Sequence, residues 1–132
     1  MTRNSLRQAA ALGLTVGLLA VTVPAASAKT GDVRRSGTCS RSATWKLKAS
    51  PENGRVEVEA EVDSNVVGQA WSVVIRDNGV AVASATGITL APSGSFSINR
   101  VIANRAGTDV ISLRATNART GEVCTGSLSY TD

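Results

Sequence analysis

Hydrophobic and polar residues alternate with a period of two along most of this chain, which is typical of β-strands with one buried and one solvent-facing side. In residues 55–62, valine or alanine at every even position alternates with arginine or glutamate at every odd position. Residues 39–49 show the same period, with Trp45 and Leu47 on the apolar side and Arg41 as the exception. The Pro-Glu-Asn-Gly sequence at 51–54 favours a turn, so the pattern predicts that the two runs form an antiparallel hairpin.

A four-residue loop closed by Ser50 and Arg55 sets the expected register of this hairpin, with opposite charges paired on its polar side. The expected pairs are Lys48 with Glu57, Lys46 with Glu59, Ala49 with Val56, Leu47 with Val58 and Trp45 with Ala60. Carboxylates in series, such as Glu57, Glu59 and Glu61, can also bind calcium or serve acid–base chemistry. We interpret this series as a solvated sheet face that the lysines partly neutralise.

A second hairpin is predicted at residues 78–79, because the Asn-Gly dipeptide readily adopts the two positive φ angles of a type I′ turn. Residues 73–75 are apolar on both sides of the strand that enters this turn, which predicts a central or covered position for that strand. The expected pairs are Asp77 with Val80, Ile75 with Val82 and Val73 with Ser84.

One further strand is predicted at residues 95–102, after a turn at residues 91–94. Phe96 and Ile98 lie on its inward side. Arg100 shares that side, so we expect a bulge or the end of the strand near it.

The last hairpin joins residues 110–117 to residues 122–130 and is closed by Asn117 and Glu122. Its expected pairs are Ala115 with Cys124, Leu113 with Gly126 and Ile111 with Leu128. The chain as a whole therefore predicts an all-β fold, a two-sheet antiparallel β-sandwich of about seven strands of the immunoglobulin-like type. Trp45 and Trp71 lie on the apolar sides of their strands, so we expect them in the core rather than as stacking platforms for a sugar.

Cys39 and Cys124 are the two cysteines of the chain, and both lie on the inward side of the predicted strands. We expect a disulfide between them, because paired cysteines are the rule in an oxidising compartment. Two cysteines without histidine or a CxxC spacing supply too few ligands for a metal or redox centre. Intermolecular pairing is the remaining alternative.

The first 28 residues have the order of a secretory signal peptide, with cleavage between Ala28 and Lys29. Arg3 and Arg7 precede an uncharged run at residues 8–23, which is too short to span a membrane, and small residues precede the expected cut. The expected organisation is a signal peptide at 1–28, a flexible segment at 29–37 and the β-sandwich at 38–132. The product is expected to be secreted and extracellular, without a membrane anchor after signal removal.

Composition narrows the range of functions. Removal of Arg3 and Arg7 lowers the formal charge from +4 to about +2, which is too small and too dispersed to indicate nucleic-acid binding. The chain contains no histidine, so the common general base and the usual triads are absent, and we expect a protein that is not an enzyme. We expect no cofactor and no metal. The residues that could be assembled into a metal site are more typical of turns, and they are Asp63, Asn65, Asp77 and Asn78.

Several of these features, taken together, resemble those of a known group of proteins. The signal peptide, the Trp-Lys-Leu-Lys sequence at 45–48, the alternating Val-Glu strand, Trp71 and the cysteine of the last strand resemble small secreted proteins of high-GC Gram-positive bacteria with an immunoglobulin-like or fibronectin-like β-sandwich. The resemblance implies export and fold. We expect a monomeric, non-catalytic binding module for an extracellular protein or a cell-wall component. The alternative is an inhibitor of an extracellular hydrolase, with residues 64–68 and 103–107 as the loops that enter the active site.

Overall fold

The structure is a computed structural model that describes residues 31–131, and this part of the chain contains eight β-strands and no helix. The strands are β1 (Val33–Thr38), β2 (Thr44–Glu52), β3 (Arg55–Asp63), β4 (Ala70–Asp77), β5 (Val80–Ile88), β6 (Ser95–Ala103), β7 (Asp109–Asn117) and β8 (Val123–Tyr130). They form two four-stranded antiparallel sheets with the orders β1-β2-β3-β6 and β5-β4-β7-β8. The predicted all-β sandwich is confirmed. The predicted signal peptide and its cleavage between Ala28 and Lys29 lie outside the described residues.

The order of the strands is that of an immunoglobulin-like sandwich with one strand added. Strands β2, β3 and β6 occupy the positions of A, B and E in one sheet, and β5, β4, β7 and β8 occupy those of C′, C, F and G in the other. The added strand, β1, pairs with the free edge of β2. Trp71 lies on the strand that corresponds to C, where immunoglobulin domains also carry a buried tryptophan.

The N-terminal boundary of the sandwich differs from the one expected from sequence. Residues 29–37 were predicted to be a flexible segment, but β1 occupies Val33–Thr38 and pairs with β2, so the sandwich begins at Val33 rather than at residue 38. Cys39, predicted to share a strand with Trp45, lies instead where the chain reverses between β1 and β2. The side chains of β1 are exposed or only partly buried, because it is an edge strand, and its sequence therefore lacks an apolar alternation.

The β2–β3 hairpin has a two-residue turn instead of the expected four-residue loop. Asn53 and Gly54 adopt φ angles of 47° and 76°, which a type I′ turn requires, and Glu52 pairs with Arg55. The register is therefore shifted by two residues, and the observed pairs include Lys48 with Glu59, Lys46 with Glu61, Ala49 with Val58, Leu47 with Ala60 and Trp45 with Val62. Because a shift of two keeps every side chain on its own face, the predicted buried and exposed sides are unchanged.

The β4–β5 hairpin has the predicted turn and the predicted first pair, Asp77 with Val80. Beyond that pair the register differs, because a bulge next to Arg76 inserts one residue into β5. Ile75 consequently faces Ala83, and Val73 faces Ala85, rather than the expected Val82 and Ser84. The predicted central position of β4 is confirmed, since it lies between β5 and β7.

Strand β6 pairs with β3 from Ser95 to Ala103 without a break. Of the two alternatives expected near Arg100, the bulge is therefore not there, and the strand ends three residues later, at Ala103. Arg100 has the inward parity, yet its side chain is exposed, because β6 is an edge strand from which a long side chain reaches solvent. The register expected for the last hairpin is confirmed, with Ala115 opposite Cys124, Leu113 opposite Gly126 and Ile111 opposite Leu128.

Aromatic side chains close the space between the two sheets along both sides of the sandwich. On one side the Trp45 ring packs against the backbone of Gly126 in β8 and of Gly37 in β1. On the other side Phe96 in β6 packs against the backbone of Gly87 in β5. Trp71 is fully buried between them, so both tryptophans belong to the core, as predicted.

The disulfide between Cys39 and Cys124 fastens the loop between β1 and β2 to the last strand, with a Cα–Cα distance of 4.3 Å. Buried Glu122 adds a second attachment, because its Oε2 accepts the backbone N–H groups of Arg41 and Ala43 at 3.0 and 2.9 Å. Ser40 adds a third through its hydrogen bonds with the backbone of Val123. The bridge therefore joins the two ends of the sandwich fold instead of linking strands B and F, as it does in immunoglobulin domains.

Candidate functional site

The loops between the strands gather at two opposite ends of the sandwich. The first, which we call the loop end, carries the β3–β4 loop at 64–69, the β5–β6 loop at 89–94 and the β7–β8 loop at 118–122. These correspond to the B–C, C′–E and F–G loops of immunoglobulin-like domains, whose loops at one end commonly bind ligands. The opposite end carries the β2–β3 and β4–β5 turns and the β6–β7 loop.

Four large aliphatic side chains are exposed at the loop end. Val66 and Val67 in the β3–β4 loop are 50% and 54% exposed, and Ile88 and Leu90, where β5 passes into the β5–β6 loop, are 46% and 61% exposed. We call these four residues the apolar loop cluster. Single exposed aliphatic residues are normal, but a group of them on two adjoining loops is a feature of interaction surfaces.

Two buried hydroxyl groups hold the two loops of the cluster together. Thr89 Oγ1 accepts the backbone N–H of Gln69 at 2.8 Å and donates to the carbonyl oxygen of Val66 at 2.5 Å. Ser64 Oγ lies 3.2 Å from the carbonyl oxygens of both Val66 and Gly94. Polar side chains thus point inward here and apolar ones outward, the reverse of the arrangement along the strands.

The backbone of the β3–β4 loop is fixed by further local contacts. Asn65 has a φ of 59°, and its N–H donates to Asp63 Oδ1 at 2.9 Å. Gly94 lies directly against the backbone of Val66, where no side chain would fit. The β3–β4 loop is therefore presented in one conformation, which lowers the entropy cost of binding.

A cleft of about 330 Å³ separates the β3–β4 loop from the β7–β8 loop. Val67 and Ala118 line it, together with the buried side chain of Asn117. Asn117 Oδ1 accepts the backbone N–H groups of Arg119 and Thr120, at 2.9 and 3.1 Å. Its Nδ2 is buried without a hydrogen-bond partner. The cleft thus has an apolar wall beside a buried amide, and its accessible lining suits an apolar group of a ligand.

A larger hollow, of about 690 Å³, lies on the outer face of the β1-β2-β3 sheet. Its lining is charged and includes Arg34, Lys46, Lys48, Glu59 and Glu61. Lys48 and Glu59 form an ion pair at 3.4 Å, and Lys46 faces Glu61 across the ladder. Arg34 lies 3.4 Å from Asp32, so three of the four cations of this lining have an acidic neighbour, as expected for a solvated sheet surface. The size of the hollow alone does not make it the better binding site.

The second loop proposed from sequence, at 103–107, lies at the opposite end and is tied down there. Arg105 Nε is 3.5 Å from Asp77 Oδ2, and its backbone N–H donates to Asp109 Oδ2 at 3.4 Å. Both carboxyl groups are fully buried, and burial, followed by the neighbouring Asp109, raises the pKa of Asp77 to about 6. A substrate has no access to either carboxyl, so the pair is structural.

The four turn residues considered as metal ligands are not brought together. Asp63 and Asn65 lie at the loop end, whereas Asp77 and Asn78 lie at the opposite end, where Asn78 Oδ1 accepts the N–H of Val110 at 2.9 Å. In residues 31–131 no group of three or more histidine, cysteine or acidic side chains is arranged to hold a metal ion.

Sequence reasoning selected one loop of the site, at 64–68, but not the aliphatic pair contributed by Ile88 and Leu90. The sequence does contain a signal for this pair. Ile88 and Leu90 are branched apolar residues that directly precede the turn predicted at 91–94 and lie outside every predicted strand. In the described part of the chain, no helix is long and apolar enough to span a membrane. No protein-family model matches this chain, no curated protein matches it, and no solved structure matches it.

Proposed function

We propose that this chain is a secreted, non-catalytic binding module whose loop end contacts an extracellular protein or a cell-wall component. The observation that carries the proposal is the apolar loop cluster, four aliphatic side chains exposed on loops that buried Ser64 and Thr89 hold in place. Each half-exposed side chain would contribute roughly 1 kcal/mol when a partner covers it. Because the loops are already ordered, little of that gain is lost to fixing them.

Secretion is supported by two features. The order of charge, apolar run and small residues at 1–28 is that of a signal peptide. The Cys39–Cys124 disulfide is compatible with an oxidising compartment such as the extracellular space.

The chemistry of the loop end also narrows the partner. Exposed Val67 and Leu90 favour an apolar group on the partner. Exposed Arg119 adds a positive charge at the rim of the same cleft. A peptide segment with an aliphatic side chain beside an acidic one satisfies both requirements, and we therefore favour a protein partner.

Inhibition of an extracellular hydrolase is the second candidate function. A single observation favours it, namely that residues 64–68 form a fixed loop with two exposed valines, a shape that can enter an active-site cleft. Dose-dependent inhibition of any member of a panel of secreted proteases and glycanases would support this candidate. Full activity of the whole panel at saturating concentrations would remove it.

The binding proposal is tested by capture of partners from culture supernatant and cell-wall extract. The test variant is Val67→Ser with Leu90→Ser. The matched control is Val101→Ser with Val110→Ser, whose side chains are exposed to a similar extent, 43% and 45%, but lie away from the loop end. We expect a saturable partner with the unchanged chain and the control, and at least about a tenfold loss of affinity with the test variant. No saturable partner, or equal binding by all three chains, contradicts the proposal.

A further inference from the structure

The open edges of the two sheets differ in how they are protected against pairing with another strand. An edge strand carries unpaired N–H and C=O groups, and natural proteins commonly guard it with charges, proline, bulges or covering segments. Edge strand β1 carries Arg34 and Arg35, and edge strand β6 carries Arg100. Edge strand β8 is uncharged, and of its outer backbone groups those of Val123, at its start, are bound by Ser40.

Edge strand β5 has none of these safeguards along most of its length. Its sequence, VAVASATGI, contains neither a charged residue nor proline. The bulge lies near its first residues, and from Ala83 to Ile88 its pairing with β4 is regular. No hydrogen bond within residues 31–131 joins the outer side of this segment to another part of the chain.

The ladder fixes which groups of β5 point outward. Thr89 N–H donates to the carbonyl oxygen of Gln69 at 2.9 Å, so these two residues form a hydrogen-bonded pair. Hydrogen-bonded and non-bonded pairs alternate along antiparallel strands, which leaves Ser84, Thr86 and Ile88 with N–H and C=O groups directed away from β4. The carbonyl of Ala70, opposite Ile88, accepts instead from Ala118 at 3.0 Å, which agrees with this assignment.

We propose that two copies of this chain associate through β5, antiparallel, about a twofold axis that passes between the two Thr86 residues. Thr86 is the middle one of the three outward residues, and an axis there uses all of them. Ser84 then pairs with Ile88 of the second copy, and Thr86 pairs with Thr86. The two β5-β4-β7-β8 sheets become one continuous sheet joined by up to about six hydrogen bonds.

The residues of β5 favour a second copy of this chain as the partner that pairs with its open edge. Pairing β5 with itself brings no like charges together, whereas pairing β1 with itself would bring arginines together. Ala85 and Gly87 lie opposite each other across the axis and leave room for a second backbone. Both cysteines are already joined within the chain, so no disulfide between copies is required. This inference replaces the monomer expected from sequence. It does not rest on the proposed function, although Ile88 takes part in both surfaces.

The buried area of a single strand pair is small, so the dimer is weak, and its formation depends on concentration. Sedimentation equilibrium of the chain that begins at residue 29, between about 10 µM and 1 mM, should show a monomer–dimer equilibrium. Over the same range the amide protons of Ser84, Thr86 and Ile88 should become more slowly exchanging. Those of Ala83, Ala85 and Gly87, which are bonded to β4, should be protected at every concentration.

Charge substitutions at the axis give the sharpest test. Thr86→Lys places two lysines opposite each other in the dimer, and Thr86→Glu places two glutamates, so each variant should dimerise about fivefold more weakly than the unchanged chain. An equimolar mixture of the two variants should regain dimer, because lysine then faces glutamate. Ser127→Lys, on the exposed face of edge strand β8, is the matched control and should leave association unchanged.

The association measured for these variants decides whether the dimer forms through β5. A mixture that associates more strongly than either variant alone supports the axis at Thr86. A monomer at 1 mM, or variants that dimerise as well as the unchanged chain, overturns the proposal. Circular dichroism and the thermal midpoint of each variant establish that it is folded. Dimerisation by the Val67→Ser, Leu90→Ser chain shows that the edge and the loop end act separately.

Discussion

Trp45 packs on the backbone of Gly126, and its indole ring fills the space that any side chain at position 126 would occupy. The glycine has no unusual backbone angle, so it is present for close approach and not for conformational freedom. Phe96 makes the same kind of contact with Gly87. At both positions the missing side chain leaves room for a large aromatic ring between the two sheets, at the margin of the core.

Gly126→Ala should therefore destabilise the fold. The added methyl group meets the Trp45 ring directly, and such overpacking costs about 1–3 kcal/mol of unfolding free energy. Chemical denaturation measures the loss. In a Trp45→Leu background the same substitution should cost less, because the ring that it strikes is gone. Equal costs in the two backgrounds would show that the contact is not the cause, and Ser127→Ala, on the neighbouring exposed position, serves as the control.

The sequence predicts a strand correctly where one face of that strand is strongly buried, because burial imposes the alternation of apolar and polar residues. Strands β3, β4 and β7 alternate clearly because one of their faces is buried along its whole length, and their sidedness was predicted correctly. Strand β1 was missed because its edge position leaves Arg34, Arg35 and Ser36 exposed. The two wrong registers have local causes, a choice between turn lengths at Asn53-Gly54 and a bulge near Arg76, neither of which changes the apolar pattern.

The candidate site was less predictable, for a different reason. Its aliphatic residues come from segments far apart in the chain, and their proximity depends on the crossing of β4 and β5 into the second sheet. Ser64 and Thr89 look like ordinary loop residues in the sequence. Only their burial shows that they hold two loops together.

Removal of the disulfide should lower stability strongly. The bridge spans a sequence separation of 85 residues, for which the chain-entropy model gives about 4–5 kcal/mol. We expect the Cys39→Ala, Cys124→Ala chain, and the unchanged chain in reductant, to unfold at a clearly lower temperature. Circular dichroism followed against temperature makes the comparison. An unchanged midpoint in both samples would mean that Glu122 and Ser40 hold the β1–β2 loop to β8 without help from the sulfurs.

Thr89→Val should loosen the loop end while leaving the sandwich folded. Valine has the shape of threonine but can neither donate to Val66 nor accept from Gln69, and unsatisfied buried groups cost about 1–3 kcal/mol. Amide exchange at Gly68 and Gln69 should speed up. Thr44→Val, on an exposed position of β2, is the matched control and should change neither exchange nor stability. Unaltered exchange in Thr89→Val would show that the backbone bonds alone fix the loop.

The buried Asp77 makes stability depend on pH in a defined direction. Burial, followed by Asp109, raises its pKa from 3.8 to about 6, so the folded state holds a proton that the unfolded chain releases. The stabilising effect of that proton is complete below about pH 4 and is lost as the pH rises through 6. Between pH 4.5 and 7.5 we expect this group to remove about 1–3 kcal/mol of unfolding free energy.

Urea denaturation of the unchanged chain and of Asp77→Asn at both pH values isolates the contribution of the Asp77–Asp109 pair, because the effects of the carboxyl groups outside this pair are common to both chains. The amide that this substitution introduces resembles the protonated acid, so the variant should lack the loss between pH 4.5 and 7.5. Arg105→Gln should enlarge the loss, since the guanidinium 3.5 Å from Asp77 lowers the pKa of that carboxyl. Equal pH dependence in the unchanged chain and Asp77→Asn would mean that Asp77 is ionised in the folded state throughout this range. The Arg105 ion pair would then outweigh the cost of burying the charge.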